Sequence, residues 1–137
     1  MRLILLLVFG LLASCSGQVT EWSEDDKQNI RHFFISQDAD RAATELSNSS
    51  KGSFSQEEVL TLKRLALAEA RLVNDSVLAK AHPDLPERYR NLYQASLEYS
   101  INAFEKRDNA ASIKGSSLHD QWVDWFNAHK RKIRIPM

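Results

Sequence analysis

The chain has little of what would fix it covalently or give it reactive centres. Among its 137 residues there is one cysteine, Cys15, so no disulfide can form within the chain and the fold rests on packing. It holds only four glycines and three prolines, and with so few breakers its elements should be long and its connections short. An excess of charge of one sign is missing as well. Eighteen Lys and Arg balance 18 Asp and Glu, which removes the electrostatic reason to expect a nucleic-acid partner. No apolar run reaches the roughly 20 residues of a transmembrane helix, and no stretch of useful length alternates like a half-buried strand.

Patterns for common chemistry are absent too. His32, His82, His119 and His129 show no metal-ligand spacing, and no cysteine joins them. There is no C-x-x-C-H haem attachment, no G-x-S-x-G elbow and no phosphate-gripping glycine loop. No pair of carboxylates stands in an apolar setting that would raise a pKa for acid catalysis. The expectation is a protein with no catalytic residues, no metal and no cofactor. His119, Asp120 and Asp124 are near in sequence, and a surface helix face explains them.

What is present begins with Met1-Arg2, a positive start, followed by Leu3 to Leu12, apolar throughout except for Gly10. This is the layout of a signal peptide. It ends in Leu12-Ala13-Ser14-Cys15, which resembles the lipobox of bacterial lipoproteins. The resemblance covers the signal region only. It implies export, a diacylglyceryl group on the Cys15 thiol, cleavage between Ser14 and Cys15, and acylation of the palmitate kind. One acyl chain holds a protein marginally and two or more hold it stably. The address implied is a cell membrane or outer membrane, facing the periplasm or exterior; Ser16 stands where enteric lipoproteins retained at the inner membrane carry Asp. An ordinary signal peptide followed by a chance cysteine is the alternative. Residues 1–14 are then signal, 15–20 a lipidated cysteine and short tether, and 21–137 a single helical domain. The tether spans less than about 20 Å.

Along the domain, Thr20 or Ser23 can cap a first helix. Glu21, Glu24, Asp25 and Asp26 suit the positive end of its dipole better than they suit a cation site. Ile30, Phe33 and Phe34 give its apolar face, and Ser36-Gln37-Asp38 reads as an interruption before a second piece, Ala39 to Leu46. Asn48 to Ser53 is a loop. Ser55 and Glu58 offer a capping box for a spine from Gln56 to Ala81, apolar on more than one face. Pro83 and Pro86 break it. Glu87 to Lys106 carries one stripe, Tyr89, Leu92, Tyr93, Leu97, Ile101 and Phe104; Asp108-Asn109 turns; and Ala110 to about Ile133 forms the last helix, with Gly115 on its stripe permitting close approach. The fold class predicted is all-α, an antiparallel helical bundle of about four main helices.

Two partial resemblances concern this domain. Phe34 to Asp38 and Phe104 to Asp108 each lead into an alanine pair, Ala42-Ala43 and Ala110-Ala111, similar to the turn between tetratricopeptide-like helices, without the rest of that repeat. Leu60-Thr61 resembles the opening of the LTxxQ motif of small helical periplasmic chaperones, with Arg64 in place of Gln, and nothing is carried over from it.

The candidate contact residues form two groups. Tyr89, Tyr93, Trp122, Trp125, Phe126 and His129, with Tyr99 beside them, are either core or the wall of a groove for a partner or ligand. Lys130, Arg131, Lys132 and Arg134 either end the last helix at its negative dipole end or meet a membrane surface. The function expected is that of a binding or adaptor lipoprotein of the cell envelope, an assembly factor or an exclusion or immunity-type blocker. Its partners would be membrane lipid, through Cys15, and an envelope protein. The alternative is a carrier of a small apolar ligand. The oligomeric state is open.

Overall fold

Ser23 opens the first helix with a reciprocal cap. Its hydroxyl accepts from the Asp26 amide at 3.1 Å, and the Asp26 carboxylate accepts from the Ser23 amide at 3.1 Å, satisfying donors that a helix start leaves free. The computed structural model describes residues 21–49 and 55–136. Ser14, Cys15, the tether and most of the 48–53 loop lie outside them. Among the described residues the chain is all helical: α1 (Glu24–Asn48), α2 (Gln56–Leu72), α3 (Asp75–Ala81), α4 (Leu85–Arg88), a π-helical segment (Tyr89–Gln94), α5 (Ala95–Lys106) and α6 (Asn109–His129). The α4–π–α5 stretch runs as one rod, so four long helices make an antiparallel bundle, with α3 as a short connector. The order is up, down, up, down, with α2 touching both α1 and α5.

Four local expectations are corrected. First, α1 does not break at Ser36-Gln37-Asp38. Ser36 is buried and donates to the Ala66 carbonyl at 2.7 Å, so the short polar side chain finds a partner on α2 and leaves its own backbone helical. Second, the Ser55–Glu58 capping box is not made; the Ser55 side chain forms no cap bond, and the box sits at Ser23–Asp26 instead. Third, the spine from Gln56 to Ala81 is two helices. Asn29 on α1 donates to the Leu72 carbonyl and accepts from the Asn74 amide, both at 2.8 Å, replacing the ladder bonds lost at the break. Fourth, α6 ends at His129, and the chain beyond bends back so that the Arg134 amide donates to the Ala81 carbonyl at 3.0 Å.

Other features agree with the sequence. Pro86 lies in the first turn of α4 after a break at His82. The turn between α5 and α6 passes through Arg107 at φ 53°, and Asp108 caps α6 by accepting from the Ala110 and Ala111 amides at 2.9 and 3.1 Å. A Cβ added at Gly115 would stand 3.0 Å from Ser100 Oγ and 3.2 Å from both Ser100 N and Ser96 O. This glycine therefore sets the close approach of α6 to α5. No described helix is long and apolar enough to cross a membrane.

Candidate functional site

Two levels of the bundle hold its distinctive chemistry. At the level where α1 begins and α6 ends, aromatic rings from three helices pack together. Phe33 lies 5.2 Å from Tyr89 between ring centres, Tyr89 lies 5.1 Å from Tyr93, and Trp122 lies 5.7 Å and 5.5 Å from the two tyrosines. The π-helical segment puts Tyr89 and Tyr93 on one line, both fully buried, and Trp122 is 3% exposed. These three rings fill the core and line no open groove. Trp125, Phe126 and His129 are half-buried around them; the Trp125 and His129 rings stack at 4.7 Å, and His82 closes on both at 5.6 and 5.5 Å. Tyr99 points outward on α5.

The tyrosine hydroxyls are treated unequally. Ser36 spends its proton on the Ala66 carbonyl, so the Tyr93 hydroxyl, 3.0 Å away, donates to Ser36 Oγ. The Tyr89 hydroxyl is buried with no partner among the described residues. Burial pushes both phenols well above their ordinary value near 10, with the charge of Glu69 adding for Tyr89 and that of Asp40 for Tyr93.

The same level brings the two ends of the domain together. Ile133 and Ile135 pack on the core, and Pro136 joins Lys27, Ile30, Arg31 and Phe34 around an open apolar cavity of about 420 Å³. Lys130, Arg131, Lys132 and Arg134 stand exposed along this strap. None of the four makes an ion pair among the described residues, and neither does Arg31, whereas Lys27 pairs with Glu24 and Lys80 with Asp26. The acidic first turn of α1 is thus used in capping and pairing; Lys80 and Ser23 hold the Asp26 carboxyl below its usual value.

Next to the rings, about two turns farther along α1 and one turn back along α6, the interior is polar. Asp40 on α1 is 3% exposed and takes an ion pair from Lys63 on α2, whose side chain is 13% exposed. His119 on α6 reaches the other Asp40 oxygen at 3.5 Å. Burial pushes the Asp40 carboxyl up, but His119 and the charge and hydrogen bond of Lys63 outweigh it and hold the group below the usual carboxylate value. Beside this trio lie two adjoining cavities of about 180 and 200 Å³ that share Thr44, Lys63, Ser100 and Ser116.

The trio was not anticipated from sequence, and His119 is not the plain surface residue expected. A signal for Asp40 did exist. It falls where the stripe Ile30, Phe33, Ser36, Ala43 should carry an apolar residue. Its partners on α2 and α6 have no local mark. Among the described residues no three His, Cys, Asp or Glu side chains gather as a metal site. No protein-family model, no curated protein and no solved structure matches the chain.

Proposed function

We propose that the protein is a lipid-anchored, all-helical binding or adaptor protein of the bacterial cell envelope, held through Cys15 and acting on an envelope protein within reach of its short tether. An assembly factor and an exclusion or immunity-type blocker both fit this role. The observation that carries the reading is the meeting of the two ends. Pro136 lies against Lys27, Ile30 and Arg31 in the first turns of α1, so the start of α1 and the strap cations, unpaired among the described residues, lie on one side of the bundle. A body tethered there presents Lys130, Arg131, Lys132 and Arg134 to headgroups. Each adds up to about 1 kcal/mol at an anionic surface, less where salt screens it. The C-terminal end of α1 and the α5–α6 turn then point away from the membrane.

A carrier of an apolar ligand finds less support, because Tyr89, Tyr93 and Trp122 are committed to packing. The adaptor reading is tested by a crosslinked pull-down of the lipidated protein from its own membranes, with Cys15→Ser as control. One stoichiometric partner, lost in the control, is the expected outcome. Full activity of a Cys15→Ser protein exported through an unrelated signal would overturn the reading. For the orientation, replacing Lys130, Arg131, Lys132 and Arg134 by Gln should weaken binding of the unlipidated protein to anionic vesicles at low salt; unchanged binding would remove that part.

A further inference from the structure

The polar level of the bundle carries more donors and acceptors than its own structure uses. Thr44 Oγ1 donates to the Asp40 carbonyl and Ser96 Oγ to the Tyr93 carbonyl. Ser100 and Ser116 line the shared part of the two cavities with hydroxyls that have no partner among the described residues. Lys63 has three N–H donors and gives one to Asp40, while its side chain borders both cavities. At the mouth of the 180 Å³ cavity stands Asp120, exposed and in no ion pair among the described residues. A polar ring of this kind costs stability. The same interhelical space filled by apolar side chains would hold the bundle better, since a buried ion pair seldom repays its desolvation. Gly115, which lets α5 and α6 approach, leaves the gap on their α1 side unfilled by any large side chain.

We propose that this cleft between α1 and α6 binds a small zwitterionic amino acid, its carboxylate on Lys63, Ser100 and Ser116 and its ammonium on Asp120. The charge layout selects that class. Asp40 balances Lys63, and Asp120 in the same lining offsets any charge carried by His119, so a simple anion would bring a charge that nothing offsets. A dipolar ligand adds no net charge, and its two ends match the Lys63 cation with the Ser100 and Ser116 hydroxyls and the Asp120 carboxylate. The volume agrees. At about 30 Å³ for each liquid water, the 180 Å³ cavity has space for roughly six waters, enough for a small amino acid. The proposal is independent of the anchoring reading, since the cleft lies away from the end where the termini meet.

The test uses the full chain in detergent micelles, isotopically labelled, titrated with alanine, lactate and glycerol and followed by amide chemical shifts. Lactate keeps the carboxylate and replaces the ammonium by a hydroxyl; glycerol has neither charge. Saturable shifts at Ser100, Ser116 and His119 with alanine, at least tenfold weaker with lactate and absent with glycerol, are expected. Asp120→Asn should weaken alanine binding about tenfold, some 1.4 kcal/mol, and leave lactate no weaker. Asp120 and Ser116 are exposed, so Asp120→Asn and Ser116→Val should both leave helicity unchanged, and Ser116→Val should reduce binding of both carboxylates. Equal binding of alanine and lactate, binding untouched by Asp120→Asn, or no saturable shift up to the solubility of alanine would each overturn the proposal.

Discussion

The two levels of the bundle solve the same packing problem in opposite ways. Where α1 begins and α6 ends, three of the four helical rods are joined by rings: Phe33, Tyr89, Tyr93 and Trp122 leave no room between them, and even the cost of a Tyr89 hydroxyl with no partner among the described residues is absorbed. Further along, α1 and α6 are joined by Asp40, Lys63 and His119, with cavities beside them. Ring packing is insensitive to charge and intolerant of lost volume. The polar level should behave in the reverse sense, tolerant of small changes in volume and sensitive to any change in charge.

The largest effect expected on this contrast is at the ring level. Trp122→Ala removes a side chain that touches every ring of the layer and should cost about 3–5 kcal/mol in denaturant unfolding; a cost below about 1 kcal/mol would mean that the layer collapses to fill the space. Next comes charge in the polar level. Lys63→Met leaves Asp40 buried with only His119 near it, and should cost about 3 kcal/mol. The pair Asp40→Leu with Lys63→Met should recover most of that loss. Failure of the double variant to recover would show that packing around the pair, and not its charge, matters.

Gly115→Ala sharpens the boundary between the levels. Alanine favours the helix by up to about 1 kcal/mol, but the added Cβ meets Ser100 N and Ser96 O, backbone atoms that cannot turn aside. We expect the crowding to prevail, with a net loss of about 1 kcal/mol. A gain in melting temperature would show that α5 and α6 can separate freely.

The smallest effect is in the response to pH, and its sign differs between the levels. Asp40 is held below its ordinary value of 3.8. Its contribution is therefore present above about pH 4 and lost as pH falls through its folded value. The phenols of Tyr89 and Tyr93 are raised above their ordinary 10, so their contribution is present below pH 10 and lost as pH rises through their folded values. Asp40→Asn should flatten the acid limb of a stability profile and, by removing the charge that adds to the Tyr93 shift, move the alkaline limb slightly; Tyr93→Phe should change the alkaline limb and leave the acid limb in place. An acid limb unchanged by Asp40→Asn would show that Asp40 does not set it.

Much of the architecture was legible because apolar stripes at helical spacing report helices directly. The stripe from Tyr89 to Phe104, the turn at Asp108 and the close approach at Gly115 all appear where the residues suggest. The failures share one cause: a local signal answered by a distant partner. Ser36-Gln37-Asp38 has the composition of an interruption, yet Ala66, 30 residues on, takes the Ser36 proton. Val73-Asn74 contains no glycine or proline, yet the helix breaks there because Asn29, 45 residues earlier, receives the freed amide. The polar trio is the extreme case. Its three members come from three helices, and only the misplaced charge of Asp40 on an apolar stripe hints at it.

The bend between α2 and α3 also has a chemical lifetime. Asn29 holds it through both ends of one amide, nitrogen to the Leu72 carbonyl and oxygen to the Asn74 amide, so the side chain has a fixed sense. Hydrolysis of that amide to a carboxylate, the ordinary ageing reaction of asparagine, would turn the donor into an acceptor and set a negative oxygen against a carbonyl. One half of the clamp would survive and the other would repel. Asn29→Asp mimics the aged form, and faster hydrogen exchange at the amides of the α2–α3 junction would register it. In this fold, damage to one side-chain nitrogen on α1 is felt as loosening of a bend in another helix.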